Sequence, residues 1–103
     1  MKLWLLDDDR IIVDSLRMMI ARNGIPFDIV TLSSAAEALQ RLEWEKPNVI
    51  VTDIQMPGMN GLELLARLQS ELPGCPFILM SGYREFEYAH RALQLGVADY
   101  LLK

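Results

Sequence analysis

Short apolar runs alternate with segments of helical period along this chain. Lys2 to Leu6, Asp28 to Leu32, Asn48 to Thr52, Phe77 to Met80 and Ala98 to Leu102 have the length and composition of strands. Most are nearly continuous in Leu, Ile and Val, as expected when helices cover both faces of a sheet. Between the first two, Ile12, Leu16, Met19 and Asn23 fall on one helical stripe, and Asn23-Gly24 supplies its stop. Ser33 or Ser34 caps a second helix with an inner stripe of Ala35, Ala38, Leu39 and Leu42, ended by Pro47. Leu64, Leu65, Leu68 and Leu72 make the inner face of a third, closed by Pro73-Gly74. Phe86, Ala89, Leu93 and Val97 do the same for a fourth, with Gly96 near its C-cap. This alternation predicts an α/β fold: five βα units around a parallel sheet.

The last strand runs to Lys103, and a helix covering it would need about 12 further residues. The expectation is therefore one domain, 1–103, truncated after its fifth strand with the final helix missing. Leu3, Leu5 and Leu101 would then lie under a partly bare apolar patch that invites self-association.

Composition narrows the function classes. With 103 residues, 51% hydrophobic, 23% charged and a net charge of -4, the chain fits one soluble globular domain. No cluster of Lys or Arg offers a surface that neutralises nucleic-acid phosphates, so any DNA contact belongs to another domain. No apolar run is long enough for a signal core or a membrane span, which makes the cytoplasm the expected location. The single Cys75 cannot crosslink the chain to itself, which points to a reducing compartment and a packed role at a strand start.

Polar residues collect where strands end. Asp7, Asp8 and Asp9 follow the first strand, Asp53 the third, Ser81 the fourth and Lys103 the fifth. Ligands of open parallel sheets bind at the carboxyl edge, where strand order reverses. If strands 1, 3, 4 and 5 are neighbours and strand 2 lies outside, all these groups converge. Carboxylates crowded together repel, and a hard divalent cation removes that cost. Mg²⁺ takes few carboxylates, several waters and phosphate oxygens, which matches Asp7, Asp8 and Asp53. A metal beside a carboxylate, a hydroxyl and an ammonium is a set suited to phosphoryl transfer, with Asp53 as the nucleophile.

Four segments together resemble the receiver domains of two-component response regulators. They are Leu5-Leu6-Asp7-Asp8-Asp9, Thr52-Asp53-Ile54-Gln55-Met56-Pro57-Gly58-Met59-Asn60-Gly61-Leu62, Met80-Ser81-Gly82-Tyr83 and Asp99-Tyr100-Leu101-Leu102-Lys103. The resemblance covers essentially the whole chain. It implies a flavodoxin-like three-layer sandwich with strand order 2-1-3-4-5. It implies Asp53 as phosphoacceptor, with Mg²⁺ held by Asp7, Asp8, Asp53 and the backbone carbonyl of Gln55. Ser81 and Lys103 would contact the phosphoryl group, and Ser81 and Tyr100 would form the switch. Asp9 stands where the family often has glutamate and receives no metal role. The stretch from Ser81 to Ala89 and the ending Asp99 to Lys103 are most similar to receivers joined to AraC-type helix-turn-helix domains. The implied partners are a sensor histidine kinase, a C-terminal DNA-binding output domain and a second copy in a homodimer. Such a domain phosphorylates and dephosphorylates itself and is otherwise a switch, not an enzyme.

Two other readings compete. A Mg²⁺-dependent phosphohydrolase with an aspartyl nucleophile would use the Asp-x-Asp spacing of Asp7 to Asp9, but no loop is long enough for a lid. A phosphorylation-independent interaction module would keep the fold without the switch. Among single residues, Asp8 or Asp9 can serve as a helix cap, His90 reads as solvent-facing or packed, and Tyr100 by composition as half-buried packing. Trp4 and Trp44 read as packing residues, and Met18, Met19 and Met80 fit core positions. Gln55 and Tyr83 flank the implied path of a hydrolytic water.

Overall fold

The computed structural model describes residues 1–24, 26–56, 58–81 and 99–102, and for Ser81 and Asp99–Leu102 the backbone alone. The described residues form strands β1 (Lys2–Leu6), β2 (Asp28–Leu32), β3 (Val49–Asp53), β4 (Phe77–Ser81) and β5 (Asp99–Leu102), with helices α1 (Arg10–Arg22), α2 (Ala35–Arg41) and α3 (Gly61–Leu68). All strand pairs are parallel and the order is β2-β1-β3-β4-β5. The fourth helix expected around Phe86 to Val97, together with Tyr83, His90, Gly96 and Lys103, lies outside the described residues.

Strand parity divides the core. Trp4 and Leu6 of β1, Ile50 of β3 and Leu79 of β4 face one side, where Ala35 and Ala38 of α2 and Leu64, Leu65 and Leu68 of α3 cover them. Leu3 and Leu5 face the other side and pack with Val51, Met80 and Val13, Leu16 and Ile20 of α1. Three layers result. Of the two expected caps of α2, Ser34 accepts from the Glu37 N–H, and at α3 Asn60 and Glu63 form a reciprocal capping box. Asn23 ends α1 and Gly24 follows at φ 67°, a left-handed conformation that favours glycine.

Four expectations need correction. Met18 and Met19 are each 57% exposed, so the inner stripe of α1 runs through Val13, Leu16 and Ile20, and Asn23 is a cap. Periodicity locates a stripe only to within a neighbouring position, and packing against Leu3 and Leu5 decided which one. Trp44 is 69% exposed, with the Arg41 guanidinium 4.5 Å from its ring centroid. Leu3 and Leu5 are 4% and 1% exposed, since α1 covers them, so neither lies under a bare patch. The third strand starts one residue later than expected and includes Asp53, which pairs with Met80. Cys75 is half-buried just before β4, and burial pushes its thiol up, away from the reactive thiolate.

Trp4 is fully buried, and its indole N–H donates to Glu45 Oε1 at 3.1 Å. The other carboxylate oxygen of Glu45 accepts from Arg41 Nη2 at 3.0 Å and lies 3.4 Å from Lys2 Nζ. Arg41 holds the Glu45 carboxyl below the usual carboxylate range against the opposing effect of burial, aided by Trp4 and Lys2. A depressed folded pKa contributes stability above the unfolded value, and this is lost as pH falls through the folded value. Glu45→Gln keeps an acceptor for Trp4 but removes the charge, and is expected to cost about 1 kcal/mol at neutral pH. In urea titrations the gap between wild type and variant should close as pH drops below 4.5. A gap that persists unchanged in acid would remove the charge from the account.

Candidate functional site

The chain leaves β1 in one direction, to β2, and crosses back to β3 on the other side, so strand order reverses between β1 and β3. That reversal opens a crevice at their carboxyl ends. The register sets Leu6 opposite Thr52, so the next residues, Asp7 and Asp53, are neighbours across the crevice. Parity puts both on the α1 side of the sheet, in line with Leu3 and Leu5 and with Val51.

Asp7 and Asp53 are buried, at 3% and 4% exposure, and Asp8 is exposed. One carboxylate oxygen from each of the three lies within 4.8 Å of the others. The backbone holds the buried pair in place. Asp7 Oδ1 accepts from the Asp9 N–H at 3.0 Å, and Asp53 Oδ1 from the Gln55 N–H at 3.2 Å. Asp9 is spent on α1, where its side chain accepts from the Ile11 N–H as the N-cap. Its carboxylate is the helix cap that the sequence offered as one reading.

Three carboxylates are hard oxygen donors, and around one Mg²⁺ such oxygens stand up to about 4 Å apart. Oxygens within 4.8 Å of one another are compatible with that separation, and Asp8 lies on the exposed side of the cluster. The donor set therefore fits a divalent cation of this kind. Gln55 is exposed at the rim of the cluster.

The other expected site residues are placed only in part. The backbone of Ser81 ends β4 next to β3, and Leu102 pairs with it from β5, with Tyr100 opposite Leu79. The side chains of Ser81 and Tyr100, and all of Lys103, fall outside the description. Two residues of the Thr52-to-Leu62 segment to which the sequence assigns no role, Thr52 and Gly61, stand behind Asp53. Thr52, fully buried, donates its hydroxyl to the Asp53 carbonyl oxygen at 3.1 Å, and Gly61 packs against that same carbonyl. In the sequence Gly61 is marked by its place in the Thr52-to-Leu62 segment and by following Asn60, which with Glu63 forms the capping box.

The family model described as "Response regulator receiver domain" matches residues 3–103. The chain is 38% identical over 103 residues to the transcriptional regulatory protein YesN of Bacillus subtilis, covering 99% of this chain and 28% of that protein. It is also 38% identical to the transcriptional regulatory protein HptR of Staphylococcus aureus, covering 99% and 40%. The chain thus spans well under half the length of these relatives. Among solved structures, the REC domain of AraT, a response regulator from Geobacillus stearothermophilus, superposes with a TM-score of 0.87 at 38% identity, covering 99% of this chain and 80% of that one. Among the described residues, no helix is long and apolar enough to cross a membrane. A flavodoxin-like parallel sheet, an acidic cluster at its switch point and a family match over nearly every residue agree, and the chain belongs to the response regulator receiver domain family.

Proposed function

We propose that residues 1–103 form a phosphorylation switch that takes a phosphoryl group onto Asp53 from a phosphohistidine of a sensor kinase. The observation that carries this reading is the convergence of Asp7, Asp8 and Asp53 on one crevice. Receiver domains generally bind Mg²⁺ at such an acidic pocket, and we assign its ligands here as Asp7, Asp8, Asp53 and the Gln55 backbone carbonyl. When bound, Mg²⁺ supplies positive charge to the phosphoryl oxygens.

Asp53 attacks phosphorus with a carboxylate oxygen. The O–P bond forms as the N–P bond to imidazole breaks, and the imidazole leaves with the bonding electrons and takes up a proton. The Gln55 N–H holds one oxygen of Asp53, which orients the carboxylate for attack. Ser81 and Lys103 would contact the transferred group, and Ser81 with Tyr100 would relay its arrival. The added charge is about -1.5 to -2.

The names of YesN and HptR support transcriptional control as the output, through a DNA-binding domain C-terminal to this one. A net charge of -4 agrees with leaving nucleic acid to that domain. A cytoplasmic location and a homodimer complete the reading.

Incubation with phosphoramidate, whose N–P bond resembles that of phosphohistidine, tests it. One phosphoryl group per chain is expected, with dependence on Mg²⁺; continuous turnover of phosphate esters without stable labelling would favour a phosphohydrolase. Mg²⁺ at about ten times its Kd should also raise stability by about 1.4 kcal/mol, by binding only the folded state. Asp8→Ala should remove that increment. Its survival in the variant would place the ion elsewhere.

A further inference from the structure

Gly61 opens α3, and its amide donates to the Ile54 carbonyl at 2.8 Å. This brings the helix start against the peptide that joins Asp53 to Ile54. A Cβ built on Gly61 would lie 2.4 Å from the Asp53 carbonyl oxygen, 3.0 Å from Ile54 Cα and 3.1 Å from the Asp53 carbonyl carbon. All three atoms are backbone, so no side chain can swing aside. On the same carbonyl oxygen, the Thr52 hydroxyl donates at 3.1 Å, and this hydroxyl also lies 3.8 Å from Met56 Sδ. The peptide behind the carboxylate is thus clamped between a glycine and a buried hydroxyl.

Neither side of the clamp yields easily. Leu62, Leu64, Leu65 and Leu68 are buried and hold α3 down, while Asn60 and Glu63 fix its first turn. On the other side, the Ile54 amide donates to Met80 at 3.0 Å, which ties the segment into the sheet. Beyond Ile54, the Gln55 N–H reaches back to Asp53 Oδ1. A rotation of the Asp53–Ile54 peptide therefore moves the carboxylate and the Gln55 backbone together, relative to Asp7 and Asp8.

We propose that Gly61 is a positioning residue for Asp53: the absence of its side chain, backed by the Thr52 hydroxyl, fixes the Asp53–Ile54 peptide so that the carboxylate meets Asp7 and Asp8. This rests on the reading of Asp53 as phosphoacceptor and adds to it a residue that touches neither metal nor phosphate. To clear the contact, a Cβ at position 61 must move backbone by about 0.5 Å, the tolerance within which reacting groups must be held. Misplacement on this scale costs about 10- to 100-fold in rate.

The test compares wild type, Gly61→Ala, Thr52→Val and Ala66→Gly in the same chain. Ala66 is an exposed interior residue of α3, and its change to glycine weakens the helix without touching Asp53. Each protein is measured for urea stability, for Mg²⁺ affinity by the metal's effect on that stability, and for labelling by phosphoramidate at saturating Mg²⁺. Gly61→Ala is expected to label about 10- to 100-fold more slowly and to bind Mg²⁺ more weakly. Ala66→Gly should keep wild-type values for both. Thr52→Val should label several-fold more slowly, and it decides the matter if Gly61→Ala does not fold. Wild-type labelling and Mg²⁺ affinity in Gly61→Ala, or in Thr52→Val where only that variant folds, would overturn the proposal. An equal loss in Ala66→Gly would do so too. If wild type takes no label, the phosphoacceptor reading fails, and the Mg²⁺ affinities alone judge the positioning: weaker binding in Gly61→Ala but not in Ala66→Gly sustains it, and any other pattern overturns it.

Discussion

Asp53→Asn is expected to lower labelling by phosphoramidate at least about 10³-fold, while in the absence of Mg²⁺ the folded state becomes more stable. Loss of a nucleophile costs at least this much wherever a covalent intermediate carries the reaction. The amide keeps the shape of the carboxylate and an oxygen to accept the Gln55 N–H, but it cannot form the acyl phosphate. The gain in stability has a separate cause. Asp7 and Asp53 are both buried, with carboxylate oxygens within 4.8 Å of each other and of Asp8. At such a distance one like-charge pair costs about 1 kcal/mol even at the dielectric of water. Asparagine removes that repulsion, and urea midpoints measured without Mg²⁺ should rise. Labelling of the variant at the wild-type rate would move the acceptor to another residue. A clear fall in stability would mean that the three carboxylates are not crowded in the metal-free protein.

The second large effect lies in the core. Leu64→Ala should cost about 3 to 4 kcal/mol, because the side chain is fully buried between α3 and the sheet, and its removal leaves a cavity that the strands cannot close. Against a total of about 5 to 15 kcal/mol for a domain, this is a large fraction. The melting temperature should fall by about 15 °C. Met19→Ala is the matched contrast. At 57% exposure it should change stability by less than about 0.5 kcal/mol. Thermal melts of the two variants check both. A Met19 variant as damaged as the Leu64 variant would return Met19 to the core and undo the assignment of the α1 stripe.

Patterning fixes the buried face of α3 and leaves that of α1 open. In α3 every apolar residue of the leucine stripe is buried, and the polar residues between them left one solution. In α1, apolar residues occupy Ile11, Ile12, Val13, Leu16, Met18, Met19 and Ile20, so several adjacent stripes satisfy the period equally. The choice among them depends on which face meets Leu3 and Leu5, a contact between segments that periodicity does not contain. Trp44 departs from its expected packing for a related reason. Its bulk suggests burial, but it falls in the turn after α2, where the Arg41 guanidinium gives its ring a partner in solvent.

By itself, the order of apolar runs and caps determined a parallel α/β sheet and its strands nearly to the residue. The run of acidic residues after β1, with Asp53 at the end of β3, marked where the chemistry gathers. These are local properties, set by side-chain period, turn residues and backbone donors that each segment must satisfy within a few positions. Tertiary structure decided which carboxylates meet and which do not: the β1–β3 register made Asp7 and Asp53 neighbours, and Asp9 turned to cap α1. It also decided that the start of α3 presses on the Asp53 carbonyl, so that position 61 has no space for a side chain. Contacts of that kind depend on the relative placement of elements distant along the chain, which burial of the whole core fixes and no single segment encodes.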